Sequence, residues 1–189
     1  MLCDVVSMTG VTCLDNIMYV VCGGSTVRLY NTDTFSPLDV VINVDGMRNP
    51  RDIVVCRHDR QLYVAELGCI CRVSVDDKSY VKWLTLSTTD IFYVHSLSLT
   101  SRRLIVTSRP SRILRQYDTT DTQLLCVVSF PWYVWWAYHG VETTHGTFVV
   151  AHRGTAQDKE QYAVSELFRL CYKCYDDDGD DNIVKCDDI

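Results

Sequence analysis

Three residues of metal-ligating types stand at matching places along the chain. Asp52, His95 and His139 each come just before a short apolar run of the kind that forms a strand. A carboxylate and two imidazoles can together hold zinc or iron. The alternative is that these side chains are hydrogen-bonded to their neighbours. Because matches of this kind often arise by chance, the pattern predicts a metal only if the fold brings the three residues together.

Two further metal-binding patterns lie near the C-terminus. Cys171 and Cys174, with Cys186 beyond them, resemble part of a zinc knuckle, but no fourth ligand stands at the normal spacing. The Asp-rich run at 176–182 resembles a calcium loop, although a lysine occupies the last ligand position. We therefore predict a solvated acidic loop at 173–181 and no cofactor, with zinc or calcium as the alternatives.

Aromatic residues are concentrated between positions 132 and 138, where five of the seven residues are aromatic. One interpretation is packing between two strands, because aromatic side chains dominate protein cores. The other is an exposed patch that binds a protein partner or stacks on nucleic-acid bases. The candidate binding residues are Trp132, Tyr133, Trp135 and Trp136.

The charge of the chain narrows the classes of partner. There are 18 Lys+Arg against 24 Asp+Glu, a formal net charge of −6, and most of the excess lies in residues 171–189. The remainder is close to neutral, which disfavours a nucleic-acid binder with a broad basic surface. A local basic patch is still open, and its candidate members are Arg102, Arg103, Arg109, Arg112 and Arg115.

Several enzyme motifs are missing from the sequence. It has no Gly-x-Ser-x-Gly, no phosphate-binding Gly-rich loop and no His-Glu-x-x-His, so we expect a protein that is not an enzyme. The longest apolar run, at 130–138, is too short to cross a membrane, and the first residues do not resemble a signal peptide. Since reduced thiols are normal in the cytosol, we expect the ten cysteines to belong to a cytoplasmic protein without a membrane partner.

A fourfold repeat supplies the elements that would position these residues. Four strand-like segments align on Tyr19, Tyr63, Ile105 and Val149, at spacings of 44, 42 and 44 residues. Each follows a short apolar run and a polar turn, and two further strand-like runs come after it. Apolar and polar residues alternate in these runs with the period of two that a half-exposed strand shows. A period of about 43 residues with four strands per copy is typical of a propeller blade.

The sequence thus predicts an all-β protein, a β-propeller built of four-stranded antiparallel blades. A lone four-stranded meander leaves apolar faces exposed, and the stacking of blades buries them. The residue before each inner strand lies near one rim of the channel, so Asp52, His95 and His139 are candidates for a rim binding site. Within a single domain, we place the blades at about 9–45, 46–88, 90–131 and 135–189.

The second blade resembles the NHL-repeat family. The segment Asn49-Pro50-Arg51-Asp52 is similar to the Pro-containing start of that family's inner strand, and residues 61–66 are similar to its Tyr-Val-Ala-Asp-like strand. The pattern departs at Arg60, where the family has a turn Gly, and no Asn-His-Leu tripeptide occurs. There is also no Trp-Asp dipeptide of the WD40 kind.

The resemblance implies a six-bladed ring, which needs roughly 260 residues at this repeat length. Four blades therefore imply an incomplete ring, an unusual four-bladed ring or an open array that closes by pairing, and we favour the incomplete ring. An incomplete ring exposes an apolar blade face, so we expect self-association when the chain is expressed alone.

The function implied by the resemblance is a non-catalytic interaction module that binds a protein partner at a channel rim. One alternative is RNA binding, as in some NHL-type propellers. The other is a metal-dependent lyase or hydrolase that uses Asp52, His95 and His139, similar to propeller lyases that hold zinc in the channel.

Overall fold

The computed structural model describes residues 8–86, 94–108, 112–132, 134–153 and 162–167. Within these ranges the protein has fifteen β-strands and no helix. The strands form four antiparallel sheets, and each sheet joins neighbouring strands in chain order. None of the described residues belongs to a helix that is long and apolar enough to cross a membrane.

The first two sheets have four strands each. The strands of the first sheet are β1 (Met8–Leu14), β2 (Ile17–Cys22), β3 (Thr26–Asn31) and β4 (Pro37–Asn43). Those of the second sheet are β5 (Asp52–Cys56), β6 (Gln61–Glu66), β7 (Cys69–Ser74) and β8 (Tyr80–Thr85).

The third sheet repeats this pattern, and the fourth has three described strands. The third consists of β9 (Val94–Thr100), β10 (Arg103–Ser108), β11 (Ile113–Asp118) and β12 (Leu124–Ser129). The fourth consists of β13 (Trp135–Glu142), β14 (Phe148–Arg153) and β15 (Tyr162–Leu167). The strand expected at 182–186 and the acidic loop at 173–181 lie outside the described residues.

This succession of antiparallel meanders confirms the predicted fold class, an all-β propeller with about four blades. The four residues that reveal the repeat all lie on the second strand of their sheets: Tyr19, Tyr63, Ile105 and Val149. The short apolar run, the anchor strand and the alternating strand of each repeat therefore form consecutive strands of one blade.

Left-handed residues close the hairpins before the anchor strands. Asp15 and Asn16, with φ of 49° and 58°, form the two-residue turn between β1 and β2, as a tight hairpin requires. The turn before β6 ends at Arg60, with φ of 50°, where the NHL pattern has Gly. A side chain in this region costs free energy that glycine avoids. Arg60 gains ion pairs with Asp15 and Asp76 at the same place.

The chain divides into two compact units, Met1–Leu97 and Ser98–Ile189. In the first unit, apolar side chains of the first two sheets form one core that includes Tyr19, Ile53 and Leu62. Tyr19 and Val21 on β2, like Leu62 and Val64 on β6, are two residues apart, so each pair shares the face of its sheet that packs into this core. β1 and β5, the first strands of the two sheets, lie against each other in this unit.

The second unit has its own core between the third and fourth sheets, where Ile105, Leu114 and Phe148 are fully buried. The side chain of Glu142 is also buried here, with 4% exposed. Its carboxylate accepts a hydrogen bond from Gln116 Nε2 at 2.8 Å and pairs with Arg103 Nη1 at 3.4 Å. This buried carboxylate, with partners for both oxygens, links β10 and β11 of the third sheet to β13 of the fourth.

Candidate functional site

Asp52, the first of the predicted rim residues, begins β5 and is bonded to backbone groups. Its Oδ1 accepts the N–H of Ile53 at 2.9 Å, and its Oδ2 accepts the N–H of Leu97 at 2.8 Å. The carboxylate therefore ties the beginning of β5 to β9 within the first unit. This geometry gives Asp52 a positioning role that the sequence pattern did not reveal.

The two histidines of the predicted rim site lie on different units. His95 is half-buried on β9 in the first unit, and His139 is exposed on β13 in the second. Among the described residues, one group of His, Cys, Asp and Glu side chains has three ligand atoms within 4.8 Å of one another, and it contains neither histidine nor Asp52. A metal held by Asp52, His95 and His139 stays a prediction.

The predicted aromatic patch is exposed where the structure describes its side chains. Trp132 is 71% exposed and Trp136 is 39% exposed. The Trp136 ring stacks on the guanidinium of Arg153, whose Cζ lies 5.4 Å from the ring centroid. Trp135 is the first residue of β13, and Tyr133 lies outside the described residues. Two of the four candidate binding residues are therefore exposed, while Val134 and Ala137 of the same stretch are buried, and binding by this patch stays a prediction.

The structure extends this patch with side chains from β13, β14 and β15. The rings of Tyr138 and Tyr162 lie 5.7 Å apart, and Val164 is 70% exposed beside them on β15. Arg153 is paired with Tyr162 across the β14–β15 ladder, and directly paired residues share one face of a sheet. We call this surface the aromatic face and define it by Trp136, Tyr138, Arg153, Tyr162 and Val164.

Bulges in β13 place two of these aromatic residues on the aromatic face. The β13–β14 register shifts between Trp135 and Ala137, and again between Ala137 and His139. Trp136 and Tyr138 are the extra residues at these two shifts, and Trp136 has a left-handed φ of 45°. A bulge re-aims side chains out of the regular alternation. Strict alternation along β13 would have put Trp136 and Tyr138 on the same face as buried Gly140, so the sequence alone could not place them on the aromatic face.

A second candidate site, which the sequence analysis missed, lies at the β6–β7 hairpin. The hairpin closes through Leu67 and Gly68, and Gly68 has a φ of 100° that suits glycine. Across it, Glu66 is paired with Cys69, and Cys71 follows two residues later on the same face of β7. The Cys-x-Cys spacing on a strand was the available signal. Glu66 could be recognised as a third member of this site only from the structure, because the two-residue turn is what pairs it with Cys69.

The pKa values of both thiols in this hairpin are shifted by their contact with each other. The hydrogen bond from Cys71, and less strongly the charge of Lys82, lowers the pKa of Cys69. The same bond and burial raise the pKa of Cys71, which is only 2% exposed.

The arginines considered as a basic patch are in part bonded within the second unit. Arg103 pairs with Glu142, and Arg112 Nη2 donates to the carbonyl oxygen of Phe130 at 3.4 Å. Arg109 lies outside the described residues. These bonds favour structural roles for Arg103 and Arg112 over contacts with phosphate groups.

Comparison of the sequence with protein-family models and with curated proteins finds no match. The fold, in contrast, matches solved structures. Hydrazine synthase of Kuenenia stuttgartiensis aligns with 87% of this chain and 47% of its own at 12% identity, with a TM-score of 0.69. The WD40 β-propeller domain of Doa1 aligns with 87% of this chain and 51% of its own at 13% identity, with a TM-score of 0.65.

A computationally designed protein, Ika4, aligns with 89% of this chain and 95% of its own at 10% identity, with a TM-score of 0.62. The chain thus spans about half the length of the hydrazine synthase and Doa1 chains and nearly all of the designed one. Likenesses at this identity show the β-propeller fold alone. None of them is specific to the NHL-repeat family, so that resemblance stays a prediction.

Proposed function

We propose that this chain is a propeller that binds another protein through the aromatic face of β13–β15. The observation that carries the proposal is the exposure of Tyr162 and Val164, at 78% and 70%, beside the stacked pair of Trp136 and Arg153. Trp, Tyr and Arg are the residue types that dominate binding energy at protein interfaces. The proposal keeps the expected interaction module and moves its surface from the channel rim to this sheet face.

The chemistry of the face indicates the kind of partner. Its aromatic and aliphatic side chains suit a partner with apolar side chains, and the guanidinium of Arg153 suits a carboxylate. We therefore propose a protein segment that presents apolar residues together with Asp or Glu. Stacking on Trp136 holds the Arg153 guanidinium in place, so less side-chain entropy is lost when a carboxylate binds.

RNA is the competing ligand, because aromatic rings with an arginine also form a base-stacking platform. The overall charge of −6 and the bonds that hold Arg103 and Arg112 weigh against it. A second copy of the chain is the other competing occupant of the aromatic face, because we also expect the chain to associate with itself.

The test is a selection of peptides displayed on phage against the full chain. Peptides that also bind the double variant Tyr162→Ser/Val164→Ser are removed in each round. We expect enriched peptides to carry aromatic or aliphatic residues with Asp or Glu, and to lose at least about tenfold in affinity for Trp136→Ala or Tyr162→Ser, a loss of the size seen at interface hot spots. The matched control is Phe35→Ser, which removes an exposed apolar side chain of similar exposure, 64%, from the first unit.

Three results would contradict the proposal. The first is a selection in which no peptide is enriched once the peptides that bind the double variant have been removed. The second is a labelled oligouridine that binds the wild type more tightly than any selected peptide, with the steep salt dependence of phosphate contacts. The third is a stable dimer of the wild type in sedimentation that the double variant does not form, since a second copy of the chain would then occupy the aromatic face.

A further inference from the structure

The side chains of Glu66, Cys69 and Cys71 present three metal-binding atoms to one point beside the β6–β7 hairpin. All three ligand atoms lie within 4.8 Å of one another. Around a tetrahedral zinc with bonds of about 2.3 Å to sulfur and about 2.1 Å to oxygen, two such ligands lie about 3.6 Å apart. Cys69 Sγ and Glu66 Oε2 are separated by 3.8 Å, so the pair already has nearly this spacing.

Backbone hydrogen bonds to one oxygen hold the carboxylate of Glu66 in place. Its Oε1 accepts the backbone N–H of Arg48 at 2.7 Å and that of Asn49 at 3.3 Å. These bonds leave Oε2 on the side of the thiols. Ligating carboxylates are normally oriented in this way by further hydrogen bonds, which lower the entropy lost when a metal binds.

The two thiols differ in their access to solvent. Cys71 is 2% exposed and belongs to the core of the first unit, whereas Cys69 is half-buried at its border. The buried sulfur of Cys71 is shielded from water, whereas Glu66 and Cys69 are only partly buried. Such a site offers three protein ligands and one position for a molecule from outside.

We propose that Glu66, Cys69 and Cys71 bind one zinc ion, with the fourth coordination position taken by solvent or by a side chain of a bound partner. Two thiolates select a soft or borderline metal over calcium and magnesium, and the carboxylate oxygen favours zinc over copper(I). The ligand set carries three negative charges against two on the ion. The ammonium of Lys82, whose charge acts on both thiols, partly balances the remaining one.

Binding requires both sulfurs to be deprotonated, and the thiol protons pass to solvent. We therefore expect zinc affinity to fall as the pH is lowered. No electron transfer is involved, and the same two sulfurs must be reduced before the ion can bind.

The experiment uses the full chain, reduced and freed of metal with a chelator. Zinc affinity is measured by competition with a chromophoric chelator, and cobalt(II) then reports the ligands. We expect one tightly bound zinc ion per chain, with the visible bands of tetrahedral cobalt and the ultraviolet thiolate-to-cobalt band of two sulfurs. Glu66→Gln and Cys69→Ser should each weaken zinc binding by at least about tenfold, the lower end of what loss of a supporting contact costs.

The variants are chosen so that a loss of folding cannot imitate a loss of zinc. Glu66→Gln keeps an amide oxygen for the two backbone N–H donors, and circular dichroism of each metal-free variant checks the fold. Cys13→Ser, at an exposed free thiol of the same unit, and Cys174→Ser, outside the described residues, should leave this affinity unchanged. Failure of the chain to bind zinc, full affinity in Glu66→Gln, or loss of binding in Cys174→Ser would overturn the assignment.

Discussion

At the scale of single residues, Asp77 shows how short polar side chains organise a turn between strands. Its Oδ1 accepts both the backbone N–H and the Oγ–H of Ser79, at 3.0 and 2.8 Å. Hydrogen bonds from Ser74 and then from Ser79 stabilise the ionised carboxylate and lower the pKa of Asp77 to about 2. The β7–β8 turn is therefore strongest when this carboxyl group is charged.

We predict that the Asp77 carboxyl titrates with a midpoint of about 2 in an NMR titration, and that Ser74→Ala or Ser79→Ala moves it towards 3.8. Because the pKa is lowered in the folded state, the stabilising effect is present above about 3.8 and is lost as the pH falls through about 2. Ser36→Ala, at an exposed serine in another turn, serves as the control. A wild-type midpoint near 3.8 would show that these hydrogen bonds do not form in solution.

At the scale of elements, the close approach of β1 to β5 explains a glycine in the first blade. Gly10 occupies the place in the repeat that Asp52 holds in the second blade. A Cβ atom at Gly10 would lie 2.8 Å from both Asp52 Cα and Ile53 N. Backbone atoms of a paired strand cannot move aside as a side chain can, so only glycine fits here without a shift of one strand.

We predict that Gly10→Ala lowers the free energy of unfolding by about 1–3 kcal/mol, the usual cost of forcing extra atoms into a packed interior. Urea unfolding followed by circular dichroism measures this change. Cys13→Ala, on the exposed face of the same strand, is the control and should stay within about 0.5 kcal/mol of the wild type. Equal stability of Gly10→Ala and the wild type would mean that the strands are further apart than the structure has them.

At the scale of the whole molecule, each of the two compact units contains its own apolar core. In a repeat protein, stability is approximately the sum of the units and of the contacts between neighbours. The four tryptophans report on the units separately. Trp83 lies in the first unit, packed edge-on against Tyr63, and the other three lie in the second.

We predict that a substitution that destabilises the core of one unit lowers the unfolding midpoint of that unit and has little effect on the other. In a Trp83→Phe background, tryptophan fluorescence reports the second unit alone. Adding Gly10→Ala should then leave the fluorescence midpoint in urea nearly unchanged. Circular dichroism should show an additional transition at lower urea concentration, in which the first unit unfolds. A single transition that moves to lower urea in both signals would show that the molecule unfolds as one cooperative unit.

The repeated architecture follows from local patterns in the amino-acid sequence. The spacing of Tyr19, Tyr63, Ile105 and Val149 and the alternation around them identified the blades, because strand periodicity and turn residues are local properties of the chain. The sequence also shows the concentration of aromatic residues at 132–138. Arg60 shows the limit of this reasoning, because it adopts the left-handed turn that the NHL pattern assigns to glycine.

Contacts between side chains from different strands depend on the tertiary structure. The bond from Leu97 to Asp52 and the meeting of Glu66 with Cys69 and Cys71 depend on strand pairing and on the exact turn, and a shift of one residue would move every side chain to the opposite face. The bulges of β13 likewise change the face of the sheet on which Trp136 lies. Local patterns carry the period of a strand, whereas a binding site depends on its register.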